Sequence, residues 1–119
     1  MLSDKEMAER FQDALDVGHN FFEISDVAAK VRSGEWQWHQ NRDGVCITSI
    51  GENARGQRYL QGRFIFGDMD AVMEMSDRID DFAKSHGCVG FLMDGRVGWT
   101  KILKKYGWQV AGVIMRKEY

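Results

Sequence analysis

Residues 57–93, QRYLQGRFIFGDMDAVMEMSDRIDDFAKSHGCVGFLM, decide the fold. The opening run holds Tyr59, Leu60, Phe64, Ile65 and Phe66, a β-branched and aromatic content that suits a strand. Gly67 and Asp68 close it, and Asp68 is placed to cap a helix over about 69–86. That helix, the longest expected, has its apolar side at Met69, Val72, Met73, Ser76, Ile79, Phe82 and Ala83. CVGFLM is then short and continuously apolar, which predicts a strand buried on both faces. Strand, helix and strand in this order predict a β-α-β crossover with the two strands parallel.

Upstream, Ser3 with Glu6 forms a capping-box pattern, and Met7, Phe11, Ala14 and Leu15 predict a helix over about 4–16, ended by Gly18. A second, short helix is expected from an N-cap at Ser25 through Val27, Ala28 and Val31 to a C-terminal Gly34. From Glu35 the period becomes two. Trp36 and Trp38 share one strand face, expected to look into the core, while Glu35, Gln37 and His39 take the other. Asn41 to Gly44 reverses the chain, VCITSI continues as a strand to Ile50, and GENARG turns into the strand at 57–66, completing an antiparallel meander. Downstream, a helix over about 97–106 is capped by Gly107, and WQVAGVIMRK reads as a last strand. The fold class is α/β with a mixed sheet, in one domain spanning residues 1–119.

Sixteen Lys+Arg against eighteen Asp+Glu leave a net charge of −2, so no global attraction to a polyanion exists and nucleic-acid binding is not expected. Charge is unevenly spread: Asp68, Asp70, Glu74, Asp77, Asp80 and Asp81 stand near Arg78 alone, whereas the C-terminal part is basic. The start, MLSDKEMAERF, has no apolar leader run, and no stretch is long and apolar enough for a bilayer, so a soluble, unprocessed protein is expected. Cys46 and Cys88 sit far apart in apolar runs and read as reduced core thiols. Proline is absent, leaving Gly, Asn and Asp to mark the ends of elements. His19, His39 and His86 are too scattered for a helical metal pair, and no metal-ligand spacing is present.

The element order resembles that of the GNAT acyltransferases, in which a mixed sheet splays open beside its central helix and acyl-CoA enters the gap. ILKKYGWQ is similar to that family's ending of helix, glycine, aromatic and final strand. The resemblance implies a glycine loop, broadly Arg/Gln-x-x-Gly-x-Gly/Ala, whose backbone N–H groups hold the coenzyme pyrophosphate. Here the junction is Phe66-Gly67-Asp68-Met69-Asp70: short, with one glycine and no arginine, and with two carboxylates where the anion would sit. The resemblance also implies a general-acid tyrosine four residues before the last helix's glycine, a position held by Leu103. Tyr106 does not inherit that role and is expected to pack on the sheet. Glu35, His39 and Glu52 stay open as bases, none with a partner identifiable from spacing.

A tighter resemblance is carried by Gly67-Asp68-Met69-Asp70, Ala83 to Cys88, Gly95-Arg96-Val97-Gly98-Trp99 and Leu103 to Trp108. This pattern looks like a group of small bacteriophage and prophage proteins with a GNAT-like fold, related to internal virion proteins of short-tailed phages. It implies an acyltransferase-like scaffold without an evident coenzyme loop, so no catalytic, cofactor-binding or metal-binding residue is assigned. The expected task is protein–protein contact with virion or host proteins, in the host cytoplasm or packaged in the virion. The candidate contact residues are Asp94, Arg96, Trp99, Trp36 and Trp38, since Arg and Trp are enriched at interface hot spots. The internal reading of the same residues has Trp99 packed beside Trp108 and Arg96 in a structural ion pair. Competing expectations are a divergent N-acyltransferase using acetyl-CoA and a phage effector bound to a host protein. A homodimer through an exposed sheet edge is a further expectation.

Overall fold

The computed structural model describes residues 1–17, 21–94, 99–113 and 115–119. Its elements are α1 (Asp4–Val17), α2 (Ile24–Arg32), β1 (Trp36–Gln40), β2 (Gly44–Glu52), β3 (Arg58–Gly67), α3 (Met69–Glu74), α4 (Ser76–Ser85), β4 (Cys88–Met93) and α5 (Trp99–Lys104). One four-stranded sheet runs in the order β1-β2-β3-β4. The first two pairings are antiparallel and β3 pairs with β4 in parallel, as the β-α-β reading predicts.

Local chemistry sets most element ends. The Ser3 hydroxyl accepts from the Glu6 N–H at 3.1 Å and the Glu6 carboxylate accepts from the Ser3 N–H at 3.3 Å, completing the expected capping box. For α2 the N-cap lies two residues before the expected Ser25: it is Glu23, and Asp26 reaches back to accept its N–H at 2.8 Å. Gly34, at φ +82°, ends α2 as expected. Gly107 ends α5 in a left-handed turn at φ +87°, with the Trp108 N–H returning to the Leu103 carbonyl at 3.2 Å.

Each sheet face carries its own core. On one face Phe11, Leu15, Val27, Trp36, Val45, Ile47 and Phe66 pack together beneath α1 and α2. On the other, Cys46, Leu60, Met75, Ile79, Ala83 and Cys88 pack beneath α4. Alternation along β2 divides these sets, because Cys46 and Ile47 point to opposite faces.

Three expectations change. The long helix over 69–86 is broken: Met75 stands between α3 and α4, and its N–H bonds the Val72 carbonyl at 3.0 Å. The Ala71 carbonyl, which an unbroken helix would offer to Met75, instead accepts from Asn41 Nδ2 at 2.6 Å. β4 is not buried on both faces, since Val89 is 61% and Leu92 44% exposed. Where a last strand is expected over WQVAGVIMRK, the described residues 108–113 and 115–117 lie in no helix or strand. These two departures are connected, because a further strand is what would cover the edge of β4.

Candidate functional site

A crevice opens where β3 and β4 part. Their pairing ends at Gly62 and Met93, and β3 continues to Gly67 with no strand on that side among the described residues. A parallel sheet that opens next to the following helix start creates a crevice at the strands' C-terminal ends, the usual ligand position in open α/β sheets.

The floor of the crevice is apolar. A cavity of about 30 Å³ is lined by residues that include Cys46, Met69, Met73, Trp99, Leu103 and Trp108. That is room for little more than a water molecule. The ring of Trp108 meets Phe91 of β4 edge-on at 4.8 Å, so the chain's own side chains occupy the gap. Leu103 faces this cavity with hydrocarbon only. Burial also pushes the Cys46 thiol up to about 12, which keeps it protonated and a poor nucleophile.

The mouth is acidic, and two of its backbone donors, the Asp68 and Asp70 N–H groups, are already used. Gly67 adopts φ +104°, and a Cβ there would stand 2.3 Å from the Asp43 carbonyl oxygen, so only glycine fits. The Asp68 N–H donates to the Asp43 carbonyl at 2.7 Å. The Asp70 N–H donates to the Asp68 carboxylate at 3.2 Å, and that carboxylate caps α3 as the sequence predicts. The Gly67 carbonyl accepts from the Arg10 guanidinium at 2.7 Å. A diphosphate would find two carboxylates at this helix start, with the Asp68 and Asp70 N–H groups engaged, so these residues do not fit the coenzyme pyrophosphate.

The proposed bases do not converge on the crevice. Glu35 is paired with Lys30 at 2.9 Å on the surface, and Glu52, the last residue of β2, is exposed. His39 lies on the α4 face, where its ring meets Phe82 at 5.0 Å. Thr48 donates its hydroxyl to Gln37 Oε1 at 3.0 Å, and so accepts from His39 Nε2 at 2.9 Å. Burial, then the nearby Arg78 charge, lower the His39 pKa. None of the three lines the cavity. Among the described residues no group of three or more His, Cys, Asp or Glu could hold a metal ion. Nor is any described helix long and apolar enough to cross a membrane.

The contact candidates separate. Trp36 is 4% exposed, held between Phe22, at 5.1 Å, and the Arg63 guanidinium, at 5.2 Å, so it is a core residue and not an exposed contact. Trp38 is 39% exposed and leans on Phe11 and Phe66. Its burial differs from Trp36 because β1 is an edge strand whose far end is covered only in part by α1. Trp99 lines the cavity with Trp108, in agreement with the internal reading. Asp94 follows β4 and is exposed, while Arg96 and its expected ion pair lie outside the described residues. Tyr106 is 53% exposed, which corrects its expected packing on the sheet. Sequence reasoning missed Met75, 2% exposed at the helix break, and Asn41, whose side chain makes that break. Asn41 stands in a turn, and nothing local marks its reach to Ala71.

No protein-family model matches the sequence, and no curated protein matches it. Solved structures do. An acetyltransferase from Trypanosoma brucei is similar at a TM-score of 0.64 and 14% identity, over 99% of this chain and 96% of that one. A predicted acetyltransferase from Clostridium acetobutylicum, solved with acetyl-CoA, is similar at 0.60 and 12%, over 98% and 92%. A transcriptional regulator from Bacillus halodurans is similar at 0.66 and 9%, over 99% and 96%. The mixed sheet and its helices therefore share the fold of these solved acetyltransferases, and at such identities the likeness is one of fold alone.

Proposed function

We propose that this chain is a divergent N-acyltransferase of the GNAT type, with the β3/β4 crevice as the place of acyl transfer to an amine. The observation that carries this reading is the splay of β3 from β4 beyond Gly62, in a chain similar end to end to acetyltransferases, one of them solved with acetyl-CoA. The acidic helix start adds a condition: the acyl donor is not gripped through a diphosphate there, and Met69, Met73 and Trp99 must move for an acyl arm to enter. Fold likeness supports this reading better than a purely structural role.

A second reading is favoured by that same helix start and by the filled crevice. In it the scaffold serves protein–protein contact without catalysis, in or around a phage virion or on a host protein, with the exposed Asp94 and Trp38 as the described residues to test. Calorimetry with acetyl-CoA and CoA, paired with melting at millimolar ligand, separates the two. A site saturated 100-fold above its Kd stabilises the fold by about 2.7 kcal/mol. Saturable binding together with acyl transfer to an amine upholds the enzyme. Absence of both leaves the contact reading.

A further inference from the structure

We propose that Arg63 is a carboxylate receptor, and that the amine accepting the acyl group is one that also carries a carboxylate. The second half rests on the acyltransferase reading, while the first stands on the surroundings of Arg63. β3 carries one residue more than β2 can pair. Ile47 pairs with Phe64 and Thr48 with Gly62, so Arg63 is the extra residue of a bulge. A bulge re-aims a side chain, and this one turns Arg63 toward Trp36, Ser49 and Gln61. Gly62, just before it, is the last residue of β3 paired with β4. Arg63 is therefore the first residue past the point where the two strands part.

Three contacts fix the guanidinium. Its Nε donates to the Ser49 hydroxyl at 2.9 Å, its Nη2 donates to Gln61 Oε1 at 3.3 Å, and its Cζ stands 5.2 Å from the centre of the Trp36 ring. The partners are held in turn. Ser49 is buried and donates to the same Gln61 oxygen at 3.3 Å. Gln61 lies over Gly51, where a Cβ would come within 2.9 Å of its Nε2, so the bare glycine makes the room it occupies.

What this guanidinium lacks is a counter-charge. Among the described residues its hydrogen bonds engage only Nε and Nη2, and no carboxylate pairs with it. Lys30, the other cation on the Trp36 ring at 5.5 Å, is neutralised by Glu35 at 2.9 Å. Of the two cations on that ring, Arg63 alone is uncompensated. One fixed planar fork suits a monoanionic carboxylate, whereas a phosphate dianion calls for more positive charge than one arginine supplies. Because the fork is already oriented, little side-chain freedom is lost on binding. Its position beside the splay leaves the amine end of the same molecule within the crevice region. A lysine side chain of a protein brings no carboxylate of its own, so the favoured acceptor is a small aminocarboxylate.

The test titrates the full chain with glycine, β-alanine and 4-aminobutyrate, each against its own amide, and follows the Arg63 Nε–H and Trp36 indole N–H resonances with no acyl donor present. At least one of the acids should shift both resonances saturably, with its amide weaker by about tenfold or more. Arg63→Gln should abolish the response and Arg63→Lys should keep a weaker one, with the fold of each checked by circular dichroism. Arg55→Gln, in the turn between β2 and β3, should change nothing. The same compounds are then offered as acceptors with acetyl-CoA. Arg63→Gln should raise KM for the acid about tenfold or more while kcat moves less, the mark of lost binding rather than lost chemistry. Carboxylate binding at Arg63 without any acyl transfer upholds the receptor and retires the enzyme. Acyl transfer that treats acids and amides alike, or survives Arg63→Gln unchanged, keeps the enzyme and overturns this proposal, as does the absence of a carboxylate-dependent shift.

Discussion

Asn41 Nδ2 donates to the Ala71 carbonyl at 2.6 Å, thirty residues along the chain, and so removes the acceptor that would have made α3 and α4 one helix. Its Oδ1 accepts the Gly44 N–H at 2.9 Å, which ties the turn before β2 to the helix start. Arg78 adds a second strap from α4 to the Gln40 carbonyl at 2.9 Å.

Asn41→Ala removes both bonds and leaves the Ala71 carbonyl without its side-chain donor. A loss of about 1–3 kcal/mol is expected from urea unfolding, as for a broken, partly buried hydrogen-bond pair. Hydrogen exchange should rise at the Gly44 amide more than in α1.

Gly67→Ala forces a side chain into φ +104° with its Cβ against the Asp43 carbonyl. Backbone strain alone costs roughly 1–3 kcal/mol, and the clash adds to it. The melting temperature should fall further than for Gly34→Ala, where a Cβ meets nothing within 4 Å and only the positive φ of +82° resists.

Asp68→Ala removes the cap of α3 and should cost about 1 kcal/mol, while Asp68→Asn keeps the capping oxygen and should cost much less. The pair of variants separates capping from charge. If carboxylate charge is what repels a diphosphate, Asp68→Asn combined with Asp70→Asn strengthens any CoA binding seen by calorimetry, and unchanged binding would show that repulsion is not the barrier.

His39 has a folded pKa below its ordinary value of 6.5, from burial first and Arg78 second. The unfolded chain therefore takes up the proton first. The stability carried by neutral His39 is complete above about pH 6.5 and is lost as pH falls below that value, levelling once the folded form is protonated too. Asp80 has the opposite sign: its pKa is raised, mainly by burial, so its contribution is complete below its ordinary value of 3.8 and is lost as pH rises through the folded pKa. Urea midpoints measured across the acid range should drop below pH 6.5, and His39→Gln should flatten that part of the curve.

Cys46, buried and with its pKa near 12, should not react with a thiol reagent in the native protein at neutral pH. Its labelling should track the rate at which the fold opens, and full labelling of Cys46 and Cys88 should appear in denaturant. Fast native labelling of Cys46 would show that the crevice opens far more readily than its packing implies.

Residues close in sequence were legible in advance because their chemistry is local. The Ser3–Glu6 box, the Asp68 cap, and the glycine ends at Gly34 and Gly107 follow from hydrogen bonds that span one helical turn. The period change at Glu35 and the apolar strands of the β-α-β unit followed from burial on a sheet. The acidic junction at Asp68 and Asp70 is likewise plain in the sequence. What only the tertiary structure decided depended on partners distant along the chain. The break at Met75 needed Asn41 to arrive from the β1/β2 turn. The different fates of Trp36 and Trp38 depended on where α1 and α2 stop covering β1. The closure of the crevice needed Trp99, Leu103 and Trp108 brought against Met69 and Met73. The run after Trp108 has a strand's composition, but a strand forms only where an edge is within reach, and that is set by the fold around it rather than by the residues themselves.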